Sequence, residues 1–298
     1  MNYGFFRVAA ASLKLKVANP SYNKEEIKKA IDKAVSEDVR LLVTPELSIT
    51  GYTCADLFFT KALQDAAGEA LVDIAEYTKE KNIAVIVGAP YKLKNKLMNC
   101  AFTILNGRVI SITAKKNLAN YNEFYEKRWF DSGAFLGADD APSVYSDKYD
   151  CWLGCNDIIE ICDGVAIGIE LCEDLWVPNP PSVNMALSGA NIIVNLSASD
   201  EYVSKAEYRR DLVANQSARC ICGYVYAGAS VYESTTDLVF SGATLIAENG
   251  AILAEGERFS RDNVITIADV DVEKLDALRQ KNMSFGNSGD GCLASYDY

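Results

Sequence analysis

The sequence predicts an α/β fold in which helices cover a mixed β-sheet. Short apolar segments of strand length, rich in β-branched residues, alternate with longer segments whose apolar residues recur at helical spacing. The turn signal Asn106-Gly107 separates two of the short segments, so part of the sheet is expected to be antiparallel. With 298 residues, 49% of them hydrophobic, the chain can bury a large core. Periodicity alone does not decide whether the helices and sheet form three layers or four.

The first third of the chain is predicted to contain a strand, a helix and a second strand. The first strand covers 5–12, and Asn23 is expected to cap a helix that runs to about Glu37. The apolar segment 40–44 is the next strand, and this order predicts a right-handed crossover. The next expected elements are a helical stretch over 56–81 with a potential break at Gly68, a strand over 83–87, and hairpin strands over 99–105 and 108–113.

The second half repeats the alternation of strands and helices. Residues 138–163 are expected to form an excursion or hairpin that leads into an apolar strand ending at Cys172. A helix within 181–188 and a strand over 191–195 should follow, then a helix from about 204 to 221 and a strand over 224–227. The remaining expected elements are two strands around Ser241-Gly242, a turn at 248–250, strands ending at 268, a helix over 271–281, and a flexible tail over 286–298.

Composition and charge narrow the classes of function. A formal net charge of −12 argues against nucleic acid as a partner, because binding it requires a basic surface. The apolar runs are of strand length and the N-terminus lacks a signal-peptide pattern, which predicts a cytoplasmic protein with no membrane partner. Nine cysteines, an odd number, predict reduced thiols. Cys151 and Cys155 lack the further ligands of a tetrahedral site, so no metal is expected.

Three reactive residues stand at predicted strand ends, where α/β proteins place their sites. They are Glu46 after a proline, Lys115 after a hairpin strand, and Cys172 after the apolar run. The chain contains no histidine, which excludes Ser-His-Asp and Cys-His catalysis. Taken alone, Cys172 is equally well a buried structural thiol. Together, the three residues supply a thiol with a base and a cation, which suits attack on a carbon-nitrogen bond.

Five sequence segments, in order and suitably spaced, resemble the nitrilase, or carbon-nitrogen hydrolase, superfamily over roughly residues 5–285. The form Cys172-Glu-Asp-Leu-Trp176 resembles more closely the branch formed by glutaminase domains of glutamine-dependent NAD synthetases. The segments are Pro45-Glu-Leu-Ser-Ile-Thr-Gly-Tyr52, Lys115-x-x-Leu-x-x-Tyr121-x-Glu-Phe-Tyr-Glu126-x-Arg128, Glu170-Leu-Cys172-Glu-Asp-Leu-Trp176, Asn195-Leu-Ser-Ala-Ser199 and Glu233-Ser-Thr-Thr-Asp-Leu238.

The resemblance implies catalytic roles for four side chains. Glu46 matches the family's general base, Lys115 the residue that stabilises the oxyanion, and Cys172 the nucleophile. Glu126 matches the accessory glutamate that positions these groups. Lys115 is chosen over Lys116 because its spacing to the following leucine and tyrosine fits the motif.

The same resemblance implies a glutamine-binding set. Tyr121, Ser199 and Lys205 match glutamine-binding positions, and Glu173 is a candidate ligand of the substrate's α-amino group. Lys205 offers a cation to the α-carboxylate, though without the bidentate fork of an arginine. Ala119 stands where the motif favours proline, which loosens the loop but removes no reacting group.

The family resemblance also implies a fold, a reaction and partners. The fold is a nitrilase-like four-layer αββα sandwich, often assembled into homo-oligomers, here formed by residues 1–285. The reaction is hydrolysis of L-glutamine to glutamate and ammonia, which an NAD synthetase domain uses to amidate deamido-NAD. No Ser-Gly-Gly-x-Asp-Ser loop occurs, so the ATP-binding synthetase domain is expected to be absent, and ATP and Mg²⁺ would belong to that domain, leaving this one without a cofactor. The alternatives are a free-standing amidase, such as an ω-amidase or carbamoyl hydrolase, and a catalytically silent docking module.

Overall fold

Two β-sheets stacked face to face form the middle of the molecule. The structure, a computed structural model, describes residues 4–136 and 144–288. The strands are β1 (Phe5–Ser12), β2 (Leu41–Val43), β3 (Ala84–Leu93), β4 (Lys96–Leu105), β5 (Arg108–Ala114), β6 (Val144–Ser146), β7 (Cys151–Gly154), β8 (Ile158–Cys162), β9 (Val165–Leu171), β10 (Ile192–Ser197), β11 (Gly223–Gly228), β12 (Thr244–Glu248), β13 (Ala251–Glu255) and β14 (Val264–Asp271). The helices are α1 (Pro20–Ser36), α2 (Lys61–Tyr77), α3 (Pro181–Leu187), α4 (Lys205–Arg219), α5 (Val272–Lys281) and α6 (Met283–Asn287).

Each sheet has a parallel centre flanked by antiparallel pairs, and in the first sheet β5 and β7 form a further parallel pair. The first sheet has eight strands in the order β14-β1-β2-β3-β4-β5-β7-β6, and the second has six in the order β13-β12-β11-β10-β9-β8. Strands β1, β2 and β3 are parallel in the first sheet, and β9, β10 and β11 are parallel in the second. The residues that follow β2 and β9 therefore stand at the carboxyl edges of the two parallel centres.

The core divides into three apolar layers, which makes the molecule a four-layer αββα sandwich. Side chains on β1 alternate, so that Ala9 and Ala11 contact the layer under α1 and α2 while Val8 and Ala10 face the second sheet. Between the sheets, this face meets Ile167 of β9. Helices α3 and α4 cover the outer face of the second sheet. The four-layer arrangement implied by the family resemblance is thus confirmed.

Helix α1 begins earlier than the sequence indicated, and the predicted cap at Asn23 is wrong. Asn19 caps the helix, its Oδ1 accepting a hydrogen bond from the Tyr22 backbone N–H at 3.0 Å. Pro20 fits the first helical position because it has no N–H that needs a partner. The side chain of Asn23 is buried inside the first turn and bonds backbone groups of Lys16 and Ile49 instead.

Other boundaries differ where tertiary contacts outweigh local sequence signals. Helix α2 runs unbroken through Gly68, where a Cβ would overlap the Lys148 ammonium. Strand β3 is longer than the predicted 83–87 because it pairs along its whole length with β4. Of the two strands expected around Ser241, one is present as β12. The residues before it form a loop because buried Glu233 accepts hydrogen bonds from the segment that follows Glu46.

The stretch 138–163, predicted to form an excursion or hairpin, contributes to both sheets. Strands β6 and β7 join the first sheet, and β8 forms the expected hairpin with β9. Residues 137–143 lie outside the described part of the chain. Residues of the predicted flexible tail from 289 onwards also lie outside the described part. Helix α6 runs across position 286, where the tail was expected to begin. Among the described residues, no helix has the length and apolar character needed to span a membrane.

Candidate active site

Glu46 is fully buried in a turn at the carboxyl edge of β2. Proline at position 45 ends the strand, and Leu47 takes a positive φ of 51° to make the turn. The turn rests on β3, where the Gly88 carbonyl accepts the Ile49 N–H at 3.1 Å. A Cβ at Gly88 would overlap the backbone of Leu47, so this close approach requires glycine.

Three hydrogen bonds fix the Glu46 carboxylate. Oε1 accepts from Lys115 Nζ at 2.6 Å and from Asn99 Nδ2 at 2.6 Å. Oε2 accepts from the backbone N–H of Ala198, at the end of β10, at 2.9 Å. The carboxylate is therefore held in one orientation by both sheets and is shielded from water.

Lys115 lies between two carboxylates at the end of β5. Its Nζ donates to Glu126 Oε1 at 2.8 Å as well as to Glu46, and all three side chains are buried. Tyr52 supports Glu126 by donating its hydroxyl to the same Oε1 at 2.8 Å. A lysine ammonium has three N–H donors, so one remains for a further acceptor.

Burial and charge set the protonation of this cluster. Burial raises the pKa of Glu126 to about 7, against the opposing effect of the Lys115 ammonium. Burial alone would lower the pKa of Lys115, but the carboxylates of Glu126 and Glu46 outweigh it and the pKa is raised. Lys115 therefore stays an ammonium at neutral pH.

Cys172 begins a 3₁₀ turn directly after β9. It takes a positive φ of 42°, which is strained for a residue with a Cβ and is typical of positions held for function. Burial and the nearby Glu46 carboxylate raise the pKa of the thiol, while Lys115 acts in the opposite direction. The resting sulfur is thus a thiol whose proton must be removed during attack, and the Glu46 carboxylate lies close enough to act on it electrostatically.

Asp174 connects the turn at Cys172 to the loop after Lys115. Its Oδ2 accepts the Leu171 N–H at 3.0 Å, and its Oδ1 accepts the backbone and side-chain N–H groups of Asn117, both at 2.8 Å. One buried side chain thereby fixes the turn of Cys172 and the loop after Lys115 relative to each other.

Of the residues expected to bind substrate, Tyr121 and Glu173 lie beside Cys172. Tyr121, about half exposed, donates its hydroxyl to Glu173 Oε2 at 2.8 Å, and Cys172 lies close enough to affect that hydroxyl electrostatically. Ser199 is buried after β10. Burial raises the pKa of Glu173, against a hydrogen bond from Tyr121 that lowers it.

Lys205 is buried at the first position of α4, but its ammonium is already engaged. It forms an ion pair with Asp200. The same ammonium lies over the rings of Tyr202 and Trp176, 4.9 Å and 5.1 Å from their centroids. The family resemblance implied that Lys205 offers a cation to the substrate's α-carboxylate, but it gave no sign of this acidic partner.

The structure adds groups that sequence reasoning did not assign to the site. The sequence did carry a signal that Asn99 has a role in the site, because this amide stands within an otherwise apolar strand and a buried polar group needs partners. Tyr52 carried such a signal as well, because it is the last residue of a motif segment. The Ala198 N–H carried no such signal, because a backbone donor has no sequence signature. Among the described residues, no group of three or more His, Cys, Asp or Glu side chains is arranged to hold a metal ion.

Comparison with known proteins places this geometry in a family. The carbon-nitrogen hydrolase family matches residues 7–280. Glutamine-dependent NAD(+) synthetase of Mycobacterium tuberculosis (strain ATCC 25618 / H37Rv) is 35% identical over 288 residues, which is 96% of this chain and 42% of that protein. The enzyme of the same name from Saccharomyces cerevisiae is 32% identical over 89% of this chain and 38% of its own length. The chain thus spans about two fifths of the length of these curated relatives.

Comparison with solved structures supports the same family assignment. A glutamine-dependent NAD(+) synthetase from Cytophaga hutchinsonii superimposes with a TM-score of 0.79 at 29% identity, covering 89% of this chain and 43% of that one. A Nesterenkonia AN1 amidase from the nitrilase superfamily gives a TM-score of 0.70 at 20% identity, covering 93% of this chain and 95% of that one, and so shares the fold. The chain belongs to the carbon-nitrogen hydrolase family.

Proposed function

We propose that this chain is a glutaminase that hydrolyses L-glutamine to glutamate and ammonia, and that the ammonia serves amidation of deamido-NAD by a synthetase domain. Support comes from relatives named glutamine-dependent NAD(+) synthetase, which match nearly all of this chain with part of their own length. In this proposal residues 1–285 form the hydrolase unit, which works in the cytoplasm, assembles into a homo-oligomer and uses no cofactor. ATP and Mg²⁺ belong to the synthetase domain.

The observation that carries the proposal is the buried cluster of Glu46, Lys115 and Glu126 beside Cys172. It supplies a thiol, a base and a cation whose side chains are all buried from bulk solvent, where electrostatic effects are strong. Next to it, Glu173 and Lys205 carry the opposite charges that the α-ammonium and α-carboxylate of an amino acid require.

In the first half of the proposed reaction, the Cys172 sulfur attacks the carbon of the substrate's side-chain amide and Glu46 takes the thiol proton. The amide oxygen becomes an oxyanion, which the third N–H of Lys115 and the backbone N–H of Glu173 stabilise. Glu46 then delivers the proton to the amide nitrogen. The carbon-nitrogen bond breaks, ammonia leaves, and a γ-glutamyl thioester remains on Cys172.

In the second half, Glu46 removes a proton from a water molecule that attacks the thioester carbon. Lys115 again stabilises the oxyanion. The carbon-sulfur bond breaks, the sulfur regains its proton from Glu46, and glutamate is released. Because Glu46 is held by Lys115, Asn99 and the Ala198 N–H, it serves both halves without moving.

The test is ammonia release from L-glutamine by the purified chain, beside a panel of other ω-amides and carbamoyl compounds. We expect glutamine to be preferred and Cys172→Ala to lower the rate by about a thousandfold or more, since loss of a nucleophile removes the covalent route. Cys162→Ala is the matched control, because it removes a thiol on β8 that is outside the site. Adding a separately produced NAD synthetase domain should raise the rate.

Two other results would replace the proposal. Faster turnover of a different amide would identify a free-standing amidase. No turnover of any compound, together with a Cys172 that iodoacetamide does not alkylate, would identify a docking module.

A further inference from the structure

Asp200 is a buried acid beside the site to which the proposed reaction gives no role. It follows Ser199 and forms its ion pair with Lys205 where both side chains are less than one tenth exposed. Removing two charged groups from water is costly, so a buried ion pair in a cleft is seldom retained for stability alone. This position requires a functional explanation.

Asp200 and Glu173 are two carboxylates near the Tyr121 hydroxyl. Tyr121 donates that hydroxyl to Glu173 at 2.8 Å. The charge of Asp200 and the sulfur of Cys172 both act electrostatically on the same hydroxyl. Phe124 contacts the partners of both acids, because its ring centroid lies 5.9 Å from that of Tyr121 and 6.0 Å from the Lys205 ammonium. Glu173 and the ion pair of Asp200 with Lys205 therefore belong to one group of side chains beside Cys172.

Lys205 is the cation that pairs with Asp200. Rings enclose its ammonium, with Phe124 at 6.0 Å in addition to Tyr202 and Trp176. One N–H of the ammonium points to Asp200 and the others remain for a ligand. This group of side chains thus contains two acids and one cation.

We propose that Asp200 is a specificity-determining residue that, with Glu173, binds the α-ammonium group of the substrate. An α-amino acid then completes a series of alternating charges: Glu173, the α-ammonium, Asp200, Lys205 and the α-carboxylate. This inference rests on the proposed function, because it concerns the amino-acid end of an ω-amide whose amide carbon meets Cys172. The role proposed for Asp200 leaves the reaction at the Cys172 sulfur unchanged.

The charge pattern predicts which amides the site rejects. An ω-amide with a carboxylate but no α-ammonium brings a third negative group into the pocket and leaves Glu173 and Asp200 without a cation between them. Buried charges that lose a partner weaken binding strongly. The chain should therefore prefer L-glutamine to glutaramate, its analogue without the amino group.

The test compares kcat/KM for L-glutamine and glutaramate in the wild type, Asp200→Asn and Asp200→Glu. Asp200→Asn should lower kcat/KM for L-glutamine by about ten- to a hundredfold, mainly through KM, as expected for one charge-assisted contact. The value for glutaramate should stay within about threefold, and Asp200→Glu should retain most of the preference. Glu207→Gln, which removes an exposed acid from α4, the helix that begins at Lys205, is the control for net charge and should leave both values unchanged.

Equal losses with the two amides would overturn the proposal, because they would show that Asp200 only supports Lys205 or the loop. Unchanged values for both amides in Asp200→Asn would also overturn it.

A second measurement separates this proposal from the proposed function. The rate at which iodoacetamide alkylates Cys172, followed by mass spectrometry, is measured with L-glutamate or with glutarate present. Stronger protection by L-glutamate that disappears in Asp200→Asn would uphold the role of Asp200 even if L-glutamine were not hydrolysed. Equal protection by the two compounds would reject it whatever the substrate.

Discussion

Lys115 stands between two carboxylates, and its charge affects both stability and reactivity. Without the ammonium, Glu46 and Glu126 would be two buried carboxyl groups in one site with no cation between them. In the proposed reaction the lysine therefore has two roles: it balances the charge of the buried carboxylates, and it stabilises the oxyanion.

This arrangement predicts that Lys115→Met abolishes activity and also destabilises the fold. Ammonia release should fall by at least about a hundredfold, as expected when an oxyanion donor is lost. The unfolding free energy from urea titration should fall by about 3–5 kcal/mol, because one partner of a buried ion pair is removed. Adding Glu126→Gln to this variant should restore part of the stability but no activity. A double variant no more stable than the single one would contradict this account.

The sequence could predict the reactive residues but not all the groups that hold them. Glu46 and Cys172 were visible because each follows an apolar strand, and parallel strands present their carboxyl ends to one edge. Asn99 reaches Glu46 only through the register of β4 against β3. The ion pair between Asp200 and Lys205 depends on how the loop after β10 enters α4. The catalytic and binding roles of these residues stay predictions.

At the scale of single elements, α1 shows how a buried contact overrides a local signal. Asn19 and Asn23 are both good capping residues, and the sequence alone favoured the second. The structure uses Asn19 as the cap, while Asn23 connects the start of the helix to the segment that carries Glu46. Its Nδ2 donates to the Lys16 carbonyl at 3.0 Å and to the Ile49 carbonyl at 2.9 Å, and its Oδ1 accepts the Lys16 N–H at 2.8 Å.

We therefore expect the two alanine variants to differ. Asn19→Ala should lower the unfolding free energy by about 1 kcal/mol, the usual value of an N-cap. Asn23→Ala should lower it by roughly 2–4 kcal/mol, because it leaves buried backbone groups without partners. It should also slow ammonia release, since Ile49 lies in the turn of Glu46. Urea unfolding measures the stability of each variant and the glutaminase assay its activity. Equal losses of stability in the two variants would show that the hydrogen bonds of Asn23 to Lys16 and Ile49 add nothing beyond its place in the helix.

Elements were predictable where local pattern and tertiary pairing agree. Strand β1 and the β4–β5 hairpin are of this kind, with Asn106 and Gly107 both at positive φ as a tight hairpin turn requires. The assignment of β6 and β7 to the first sheet, although they directly precede the β8–β9 hairpin of the second, was not predictable. Short strands carry little local information, and their partners are chosen by the space left at a sheet edge.

At the scale of the whole molecule, Glu170 joins three elements on the outer face of the second sheet. It lies on β9, accepts the backbone N–H of Ser182 on α3 at 3.0 Å, and accepts the hydroxyl of Tyr224 on β11. Burial raises its pKa to about 7, from 4.5 in the unfolded chain. The folded state therefore keeps a proton that the unfolded state loses.

The sign of the resulting pH dependence follows from this difference. Below pH 4.5 both states are protonated and the contribution of Glu170 to stability is fully present; as the pH rises from 4.5 through about 7 it is lost. Glu170→Gln stays neutral, so the wild type should lose roughly 3 kcal/mol relative to this variant between pH 4 and pH 8. Urea unfolding at the two pH values measures the change.

Glu160→Gln, which removes an exposed acid from the neighbouring strand β8, is the control. If the unfolding free energies of the wild type and Glu170→Gln changed with pH in parallel, the prediction would be wrong. Glu170 would then ionise in the folded protein as readily as in the unfolded chain, and its contact with α3 would not depend on its proton.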